Sequence, residues 1–296
     1  MYTRLLVHLD GSQPVEQVLS YARFFARALE IPMELLEVID PDIATLSDCK
    51  WGRSVDVVLA EKERTNTDYL GMIARSFDPV AVKCIVESGK PEEVVIKRAA
   101  TDNSTLIAMS THDRSRIQRW LFRSVWKNVL RSTTNHLLLV RASKQDGTLR
   151  DTSPKRVVAP LDGSRLAEKV LPYVVDLAKK MKLEVVLMRV FAPTVSITAL
   201  GNWPDLGTFM SLLEPGGDYL AKKVKELKEK GLENVSSIVR CGYISGEIIR
   251  VAQMNPDSVV AMCTRDRSDI KGSVLGSVTE RVAHLSKVPV LIIRAS

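Results

Sequence analysis

The sequence predicts an α/β protein with two tandem, doubly wound parallel sheets of five strands each. Three observations lead to this prediction. The chain contains one pattern twice, strand-like and helix-like segments alternate within each copy, and the strand-like runs consist largely of valine, isoleucine and leucine. Such uniformly apolar strands are typical of parallel sheets covered by helices on both faces. The length of 296 residues also suits two domains better than one.

The repeat is visible at both ends of each copy. RLLVHLDGS and RVVAPLDGS open the copies, and HLLLVRAS and VLIIRAS close them, which aligns Asp10 with Asp162 and Ser124 with Ser277. The stretch between the copies, KQDGTLRDTSPK, is polar, as linkers between domains are. We therefore expect domain 1 at residues 1–143, a linker at 144–155 and domain 2 at 156–296.

Hydrophobic periodicity gives the elements of each domain in order. In domain 1 we expect strands at residues 4–9, 33–39, 80–87, 104–110 and 136–141. We expect its helices at 13–29, 55–77, 91–101 and 123–132, with Pro91 in the first turn of the third helix. In domain 2 we expect strands at 156–161, 184–191, 234–240, 258–263 and 289–294. Its helices are expected at 165–181, 216–230, 245–254 and 277–286.

The copies differ most between their second strand and second helix. Residues 40–53 of domain 1 correspond to a longer stretch in domain 2, residues 192–217, which carries Trp203, Phe209 and Met210. A loop of that length and apolar character covers something. It either packs on its own domain or closes over a ligand.

Ligands of doubly wound sheets bind at the carboxyl ends of the strands, where the strand order reverses. The step L-D-G-S ends the first strand of both domains, at Asp10 and Asp162. An aspartate there can accept a hydrogen bond from a ribose hydroxyl or a base amino group, or it can serve as a turn residue or helix cap. At Gly276–Ser277 a loop enters a helix whose N-terminal N–H groups and dipole attract an anion. Ser277 can cap this helix, donate to a phosphate, or do both.

The L-D-G-S openings, GKPEEVVIKRAA from Gly89, GSVTERV from Gly276 and the closing PVLIIR resemble the universal stress protein family. The resemblance covers both halves, nearly the whole chain. It implies a Rossmann-like fold in each domain. It also implies a cytosolic stress-response protein that binds ATP or another adenine nucleotide, with or without Mg²⁺.

Nucleotide-binding members of that family carry G-x2-G-x9-G-[ST] after the fourth strand. Their adenine and ribose contacts lie at the ends of the first two strands. By resemblance these positions fall in domain 2 on Asp162, Val190, Cys263, Asp266, Gly276 and Ser277, and in domain 1 on Asp10, Val38, Ser110, Asp113, Arg123 and Ser124.

The glycine motif is incomplete in both domains, because domain 2 keeps only its last Gly-Ser and domain 1 only the Ser. Aspartate tolerates a left-handed backbone, but a carboxylate about 4 Å from a phosphate costs about 4 kcal/mol at an effective dielectric constant of roughly 20. Arg265, Arg267 or Mg²⁺ can offset that cost in domain 2. We therefore expect weak or altered adenine-nucleotide binding mainly in domain 2, and a largely lost site in domain 1.

Two functions remain open. The first is a nucleotide-binding sensor or switch with at most slow ATP hydrolysis, which Asp162, Val190 and Gly276–Ser277 favour. The second is an interaction or scaffold protein of the same fold without nucleotide, which the eroded glycines favour. Neither a nucleophile with its base nor metal-ligand spacing among the four histidines and four cysteines points to a dedicated enzyme or a metal site.

The closing strands, His136–Arg141 and Pro289–Arg294, would each leave an apolar edge open. Since family members pair through that strand, we expect the two domains to pair within the chain, with a homodimer or an unidentified protein as further partners. The net charge of +7 fits a solvated basic surface better than nucleic acid. The basic and aromatic stretch Arg114–Lys127 likewise fits inward packing of its aromatic residues better than a nucleic-acid platform. The apolar runs are too short for a membrane span.

Overall fold

The computed structural model describes residues 2–12, 17–48, 54–111, 125–141, 153–192, 206–265 and 276–295, with the backbone alone for 45–48, 206–214 and 265. The chain divides into two compact units, Met1–Thr152 and Ser153–Ser296, called domain 1 and domain 2 below.

Domain 1 alternates strands and helices along the chain. Its strands are β1 Arg4–Leu9, β2 Met33–Ile39, β3 Val82–Ser88, β4 Thr105–Ser110 and β5 His136–Val140. Its described helices are α1 Gln17–Leu29, α2 Pro41–Asp48, α3 Val55–Ala74, α4 Pro91–Ala99 and α5 Val125–Ser132, and a 3-10 turn at Arg75–Phe77 follows α3.

Domain 2 repeats this order. Its strands are β6 Arg156–Pro160, β7 Glu184–Phe191, β8 Val235–Cys241, β9 Ser258–Arg265 and β10 Val290–Ala295. Its described helices are α6 Arg165–Glu168, α7 Leu171–Met181, α8 Leu206–Glu229, α9 Ile244–Gln253 and α10 Ser277–Leu285.

Each domain builds its own parallel sheet with the same strand order. In domain 1 the order is β3-β2-β1-β4-β5, and in domain 2 it is β8-β7-β6-β9-β10. The inner strands are almost entirely buried, whereas β3 and β8 are half-exposed along most of their length. This burial explains the uniform Val, Ile and Leu runs, because helices cover both faces of the inner strands. The predicted fold class is confirmed.

Most predicted elements begin and end within a few residues of the observed ones; three differ, and two of these differences have a cause in a proline. The helix expected at 165–181 is two helices, α6 and α7, because Pro172 lacks an N–H and its ring excludes the carbonyl of Glu168. The helix α2 was not predicted. Helix α8 begins ten residues before the predicted start, because Pro215 lies inside the helix instead of ending the loop before it.

Among the helices that the structure describes, none combines the length and the apolar composition that crossing a bilayer requires.

Candidate functional site

The topology places six of the predicted site residues at or near the carboxyl ends of neighbouring strands: Asp10, Val38 and Ser110 in domain 1, and Asp162, Val190 and Cys263 in domain 2. Strand β1 lies between β2 and β4, and β6 lies between β7 and β9, so the strand order reverses at β1 and β6. Of the predicted positions, the structure describes Asp162, Val190, Cys263, Gly276 and Ser277 in domain 2, and Asp10, Val38 and Ser110 in domain 1. Asp113, Arg123, Ser124 and Asp266 lie outside the described residues.

The D-G-S step forms the same tight turn in both domains. Asp10 Oδ1 accepts hydrogen bonds from the backbone N–H of Ser12 at 3.1 Å and from its hydroxyl at 2.6 Å. Asp162 Oδ1 accepts the backbone N–H of Ser164 at 2.8 Å. The glycines between them have φ of 71° and 88°, a left-handed backbone that favours glycine. Both aspartates therefore act as turn residues.

The turn in domain 2 leaves Asp162 available to a ligand. Ser164, and not Asp162, caps α6, because its hydroxyl oxygen accepts the N–H of Ala167 at 3.1 Å. The side chain of Asp162 is exposed, and only its Oδ1 is hydrogen-bonded within the described part of the chain. Its second oxygen can accept a hydrogen bond from a ribose hydroxyl or a base amino group.

The residue before each predicted valine sets the charge beside this turn. Val38 and Val190 are half-buried near the ends of β2 and β7. Glu37 is buried, and its Oε1 lies 3.2 Å from where a Cβ of Gly11 would stand. In domain 2 the guanidinium of Arg189 takes that place, with Nη2 3.5 Å from the corresponding Cβ position of Gly163.

Neither Glu37 nor Arg189 was among the predicted site residues. The signal was present in the repeat, because aligning Val38 with Val190 places Glu37 against Arg189. A reversal of charge one residue from a predicted contact was therefore visible in the sequence.

Two aromatic rings hold Arg189 in position. The guanidinium carbon lies 4.9 Å from the ring centre of Phe191 and 5.1 Å from that of Tyr219 on α8. Gly216, one turn before Tyr219, allows the close approach, because a Cβ there would stand 2.5 Å from the ring of Phe191. A cation between two aromatic faces is attracted to both.

An ion-pair network borders this arrangement. The hydroxyl of Tyr219 donates to Glu168 Oε1 at 2.8 Å, and Lys223 Nζ lies 3.0 Å from Glu168 Oε2 and 3.0 Å from Glu226 Oε2. Burial, followed by the hydrogen bond to Glu168, raises the pKa of Tyr219. Burial also pushes the pKa of Glu168 up, but hydrogen bonds from Lys223 and Tyr219 outweigh it and leave that pKa lowered. Glu168 is thus an anion, and its charge is already neutralised by Lys223.

The fourth strand of domain 1 ends at Ser110 as predicted, whereas that of domain 2 ends later than predicted. Cys263 lies inside β9, which runs two residues beyond the predicted end, and its Cα pairs with Ile293. Burial raises the pKa of the Cys263 thiol to about 11, so the thiol is neutral near pH 7 and a poor nucleophile. In domain 1, Ser110 is half-buried at the end of β4, and the next residue, Thr111, is buried.

Gly276 is the N-cap of α10, and Ser277 is the first helical residue. Gly276 has φ −53° and ψ 123°, and its carbonyl accepts the N–H of Glu280 at 3.0 Å. A Cβ at Gly276 would meet Thr279 Oγ1 at 3.7 Å, an ordinary contact. Within the described residues, nothing therefore requires glycine at this position. Of the two roles considered for Ser277, capping is excluded by its position, and donation from its exposed hydroxyl remains.

The remaining sequence signals are mostly structural. Trp126 is 1% exposed, which confirms inward packing for this member of the basic and aromatic stretch. Residues 112–124 and Trp203 lie outside the described part, as do the side chains of Phe209 and Met210. Within the described ranges, histidine, cysteine, aspartate and glutamate form no cluster suited to a metal ion.

Relatives of known family cover both domains. An archaeal relative, a universal stress protein of Methanocaldococcus jannaschii, is 28% identical over 142 residues, which is 47% of this chain and 82% of its own. A universal stress protein of Mycobacterium bovis is 21% identical over 297 residues, 99% of this chain and 97% of its own.

A solved structure that covers the whole chain gives the same result for the fold. A universal stress protein from Archaeoglobus fulgidus aligns with a TM-score of 0.73 and 20% identity over 99% of this chain and 98% of its own. A further universal stress protein, solved in complex with cAMP, aligns with 48% of this chain at a TM-score of 0.35 and 17% identity. The cAMP is bound to that protein, and the statement applies to that protein alone.

The sequence model of the universal stress protein family matches the chain twice, at residues 1–141 and 154–294. These two matches take in both sheets and both D-G-S turns. The chain belongs to the universal stress protein family and carries two of its domains in tandem.

Proposed function

We propose that this chain is a cytosolic stress-response protein that binds an adenine nucleotide, mainly in domain 2, and acts as a sensor or switch. The observation that carries the proposal is Gly276. Its backbone angles and its surroundings would both accept a side chain, so the glycine is explained by a ligand that approaches the main chain. The first N–H groups of α10 have no partner within the helix and suit a phosphate.

Asp162 and Val190 supply the other half of the proposed site. Asp162 is exposed beside the start of α6, where its free oxygen can accept from the ribose or the base. Val190 is half-buried and offers an apolar contact for an adenine ring. Cys263 takes the place of a motif glycine, so phosphate binding is expected to be weaker than with the complete motif.

The first test is to denature freshly purified full-length protein and identify released small molecules by mass spectrometry. Titration calorimetry with Mg-ATP follows on emptied protein. Gly276→Arg copies the arginine of domain 1 at this position and should weaken ATP binding at least about tenfold, because it blocks the approach to the helix N-terminus. Gly71→Arg is the matched control, since it adds the same side chain where no atom lies within 4 Å.

An empty protein that shows no heat with millimolar Mg-ATP would contradict nucleotide binding. The alternative, an interaction or scaffold protein with an unidentified protein partner, would then stand. Restoring glycine at both Cys263 and Asp266 separates the cases further, because it should tighten ATP binding only if the motif still holds phosphate.

The expected pairing of the two domains through β5 and β10 is also a proposal. Each of these strands lies at one edge of its own domain's sheet. Sedimentation of the full chain tests it: a monomer agrees with internal pairing, and a dimer moves the pairing to a second copy.

A further inference from the structure

Arg189 is a fixed cation that no described anion neutralises. Its guanidinium lies between the rings of Phe191 and Tyr219 and against Gly163. Within the described part of the chain, no carboxylate or carbonyl accepts a hydrogen bond or forms an ion pair with it. Among the acidic groups beside Tyr219 and the turn, Glu168 binds Lys223 and Tyr219, and Asp162 accepts from Ser164 through Oδ1 alone.

The orientation of the guanidinium suits an oxyanion. Its Nη2, Cζ and Nη1 lie 3.5, 3.7 and 3.7 Å from the Cβ position of Gly163, so the plane faces the turn instead of pointing an edge at it. The N–H donors of a planar guanidinium lie in its edges. Within the described part of the chain no acceptor takes a hydrogen bond from those edges, so they can make a bidentate contact with a phosphate.

Holding the side chain in place strengthens such a contact. An arginine on a free surface loses rotamer freedom when it binds, which costs affinity. The stacking of Arg189 on Tyr219 and the hydrogen bond that Tyr219 donates to Glu168 reduce that loss before any ligand arrives. The group is therefore a preorganised receptor for an anion.

The location selects the part of the ligand that would meet it. Arg189 lies near the end of the second strand of domain 2, beside the turn that ends the first. In dinucleotide-binding folds with this order of the first strands, an acidic residue near the end of the second strand binds a ribose hydroxyl, and an arginine there accommodates a phosphate on the ribose. Glu37 and Arg189 reproduce that pair of alternatives in domains 1 and 2.

We propose that Arg189 is an anion-binding residue of domain 2 and that it selects adenine nucleotides with a phosphate on the ribose 2′ or 3′ oxygen. This inference rests on the proposed adenine-nucleotide function. The ribose phosphate contacts the edge of the Arg189 guanidinium, while the 5′ phosphate occupies the N-terminus of α10 at Gly276–Ser277.

The experiment is titration calorimetry on the full-length protein with three probes: AMP, adenosine 2′,5′-bisphosphate and adenosine 3′,5′-bisphosphate. At least one bisphosphate should bind about 10-fold to 100-fold more tightly than AMP, which is the range for a charge-assisted bidentate contact. Arg189→Gln should reduce this preference to about onefold. Arg189→Lys keeps the charge without the planar fork, and an intermediate preference is expected.

Lys228→Gln is the matched control for net charge. It removes one positive charge from an exposed side chain of α8, about 13 Å along the helix from Tyr219, and it should leave the preference unchanged. Circular dichroism of each variant shows whether it is folded. If Arg189→Gln does not fold, Arg189→Lys tests the bisphosphate preference in its place.

The outcomes separate this inference from the proposed function. If AMP binds and neither bisphosphate binds more tightly, or if the preference persists in Arg189→Gln, the role of Arg189 is wrong while the proposed function stands. If no adenine nucleotide binds, inorganic pyrophosphate is the next probe. Pyrophosphate binding that is lost in Arg189→Gln would support Arg189 as an anion-binding residue and overturn an adenine nucleotide as its ligand. Absence of pyrophosphate binding would overturn both the anion-binding role and the nucleotide.

Discussion

Domains 1 and 2 share the backbone of the D-G-S turn but place opposite charges beside it. In both turns an aspartate accepts the N–H of the serine two residues later, across a glycine with left-handed φ. The carboxylate of Glu37 lies over that glycine in domain 1 and the guanidinium of Arg189 in domain 2. The repeat has therefore kept the residues that shape the backbone and reversed the charge of the side chain beside the turn.

The packing beyond the turn differs in the same way. The strand-end residue Ile39 of domain 1 joins an aliphatic cluster with Ala44 and Val58. Its counterpart in domain 2, Phe191, lies beneath Gly216 of α8 and beside Arg189. An aliphatic cluster closes this end of domain 1, whereas an aromatic cage for a cation occupies it in domain 2.

The largest expected difference between the domains lies in the last helix of each. Trp126 of α5 is 1% exposed, and its counterpart in α10 is Thr279, 5% exposed. Trp126→Ala should lower the free energy of unfolding of domain 1 by about 3–5 kcal/mol, because it removes a large buried ring and leaves a cavity. Thr279→Ala should cost domain 2 about 1 kcal/mol.

Urea denaturation followed by hydrogen exchange and mass spectrometry reports each domain separately in the full chain. Similar losses from the two variants would contradict the view that domain 1 depends on this ring for its core.

The second test concerns the cage of domain 2. Gly216→Ala should destabilise domain 2 by about 1–3 kcal/mol, because the new methyl group would stand 2.5 Å from the ring of Phe191. Gly217→Ala, the neighbouring change, meets no described atom within 4 Å outside its own helix backbone and should stabilise the helix by up to about 1 kcal/mol. Thermal unfolding of both variants measures the difference in stability. Equal changes in stability would mean that the backbone of α8 at Gly216 is not packed closely against the ring of Phe191.

The sequence was sufficient for the fold because the relevant signals are local. The apolar runs mark the strands, Pro91 marks the start of α4, and the repeated D-G-S marks both turns. Residues 206–215 were predicted wrongly as loop for a local reason too. Pro215, Gly216 and Gly217 read as helix breakers in isolation, and the packing of Gly216 against Phe191 is a tertiary contact that no local pattern contains.

The candidate site could be predicted only in part. Asp10, Asp162 and Gly276 follow from their place after a strand or before a helix. The cage around Arg189 joins β7 to α8, whose residue Tyr219 is 30 positions away in the sequence. Aligning the two copies would have shown the exchange of Glu37 for Arg189, but not the rings that hold the arginine.

The smallest expected effect distinguishes the ion pairs of the two domains. Both domains have an arginine–glutamate pair at the amino ends of their strands, Arg4–Glu34 in domain 1 and Arg156–Glu184 in domain 2. Domain 2 also pairs Glu168 with Lys223 beside its D-G-S turn. Because hydrogen bonds from Lys223 and Tyr219 outweigh burial and lower the pKa of Glu168 below its usual 4.5, the ionised carboxylate stabilises domain 2 above about pH 4.5. That contribution is lost as the pH falls through the folded-state pKa.

Glu168→Gln keeps an oxygen that can accept from Tyr219 but removes the charge that faces Lys223. With the Glu168 side chain 29% exposed, the loss at pH 7 should be below about 1 kcal/mol. It should shrink towards zero as the pH falls through the lowered folded-state pKa of Glu168, because the parent carboxyl is then protonated as well. Urea midpoints of domain 2 across this range measure the loss, with Glu229→Gln, an exposed glutamate of α8, as the control. A deficit that stays constant with pH would mean that Glu168 stabilises the cage of Arg189 by shape and not by charge.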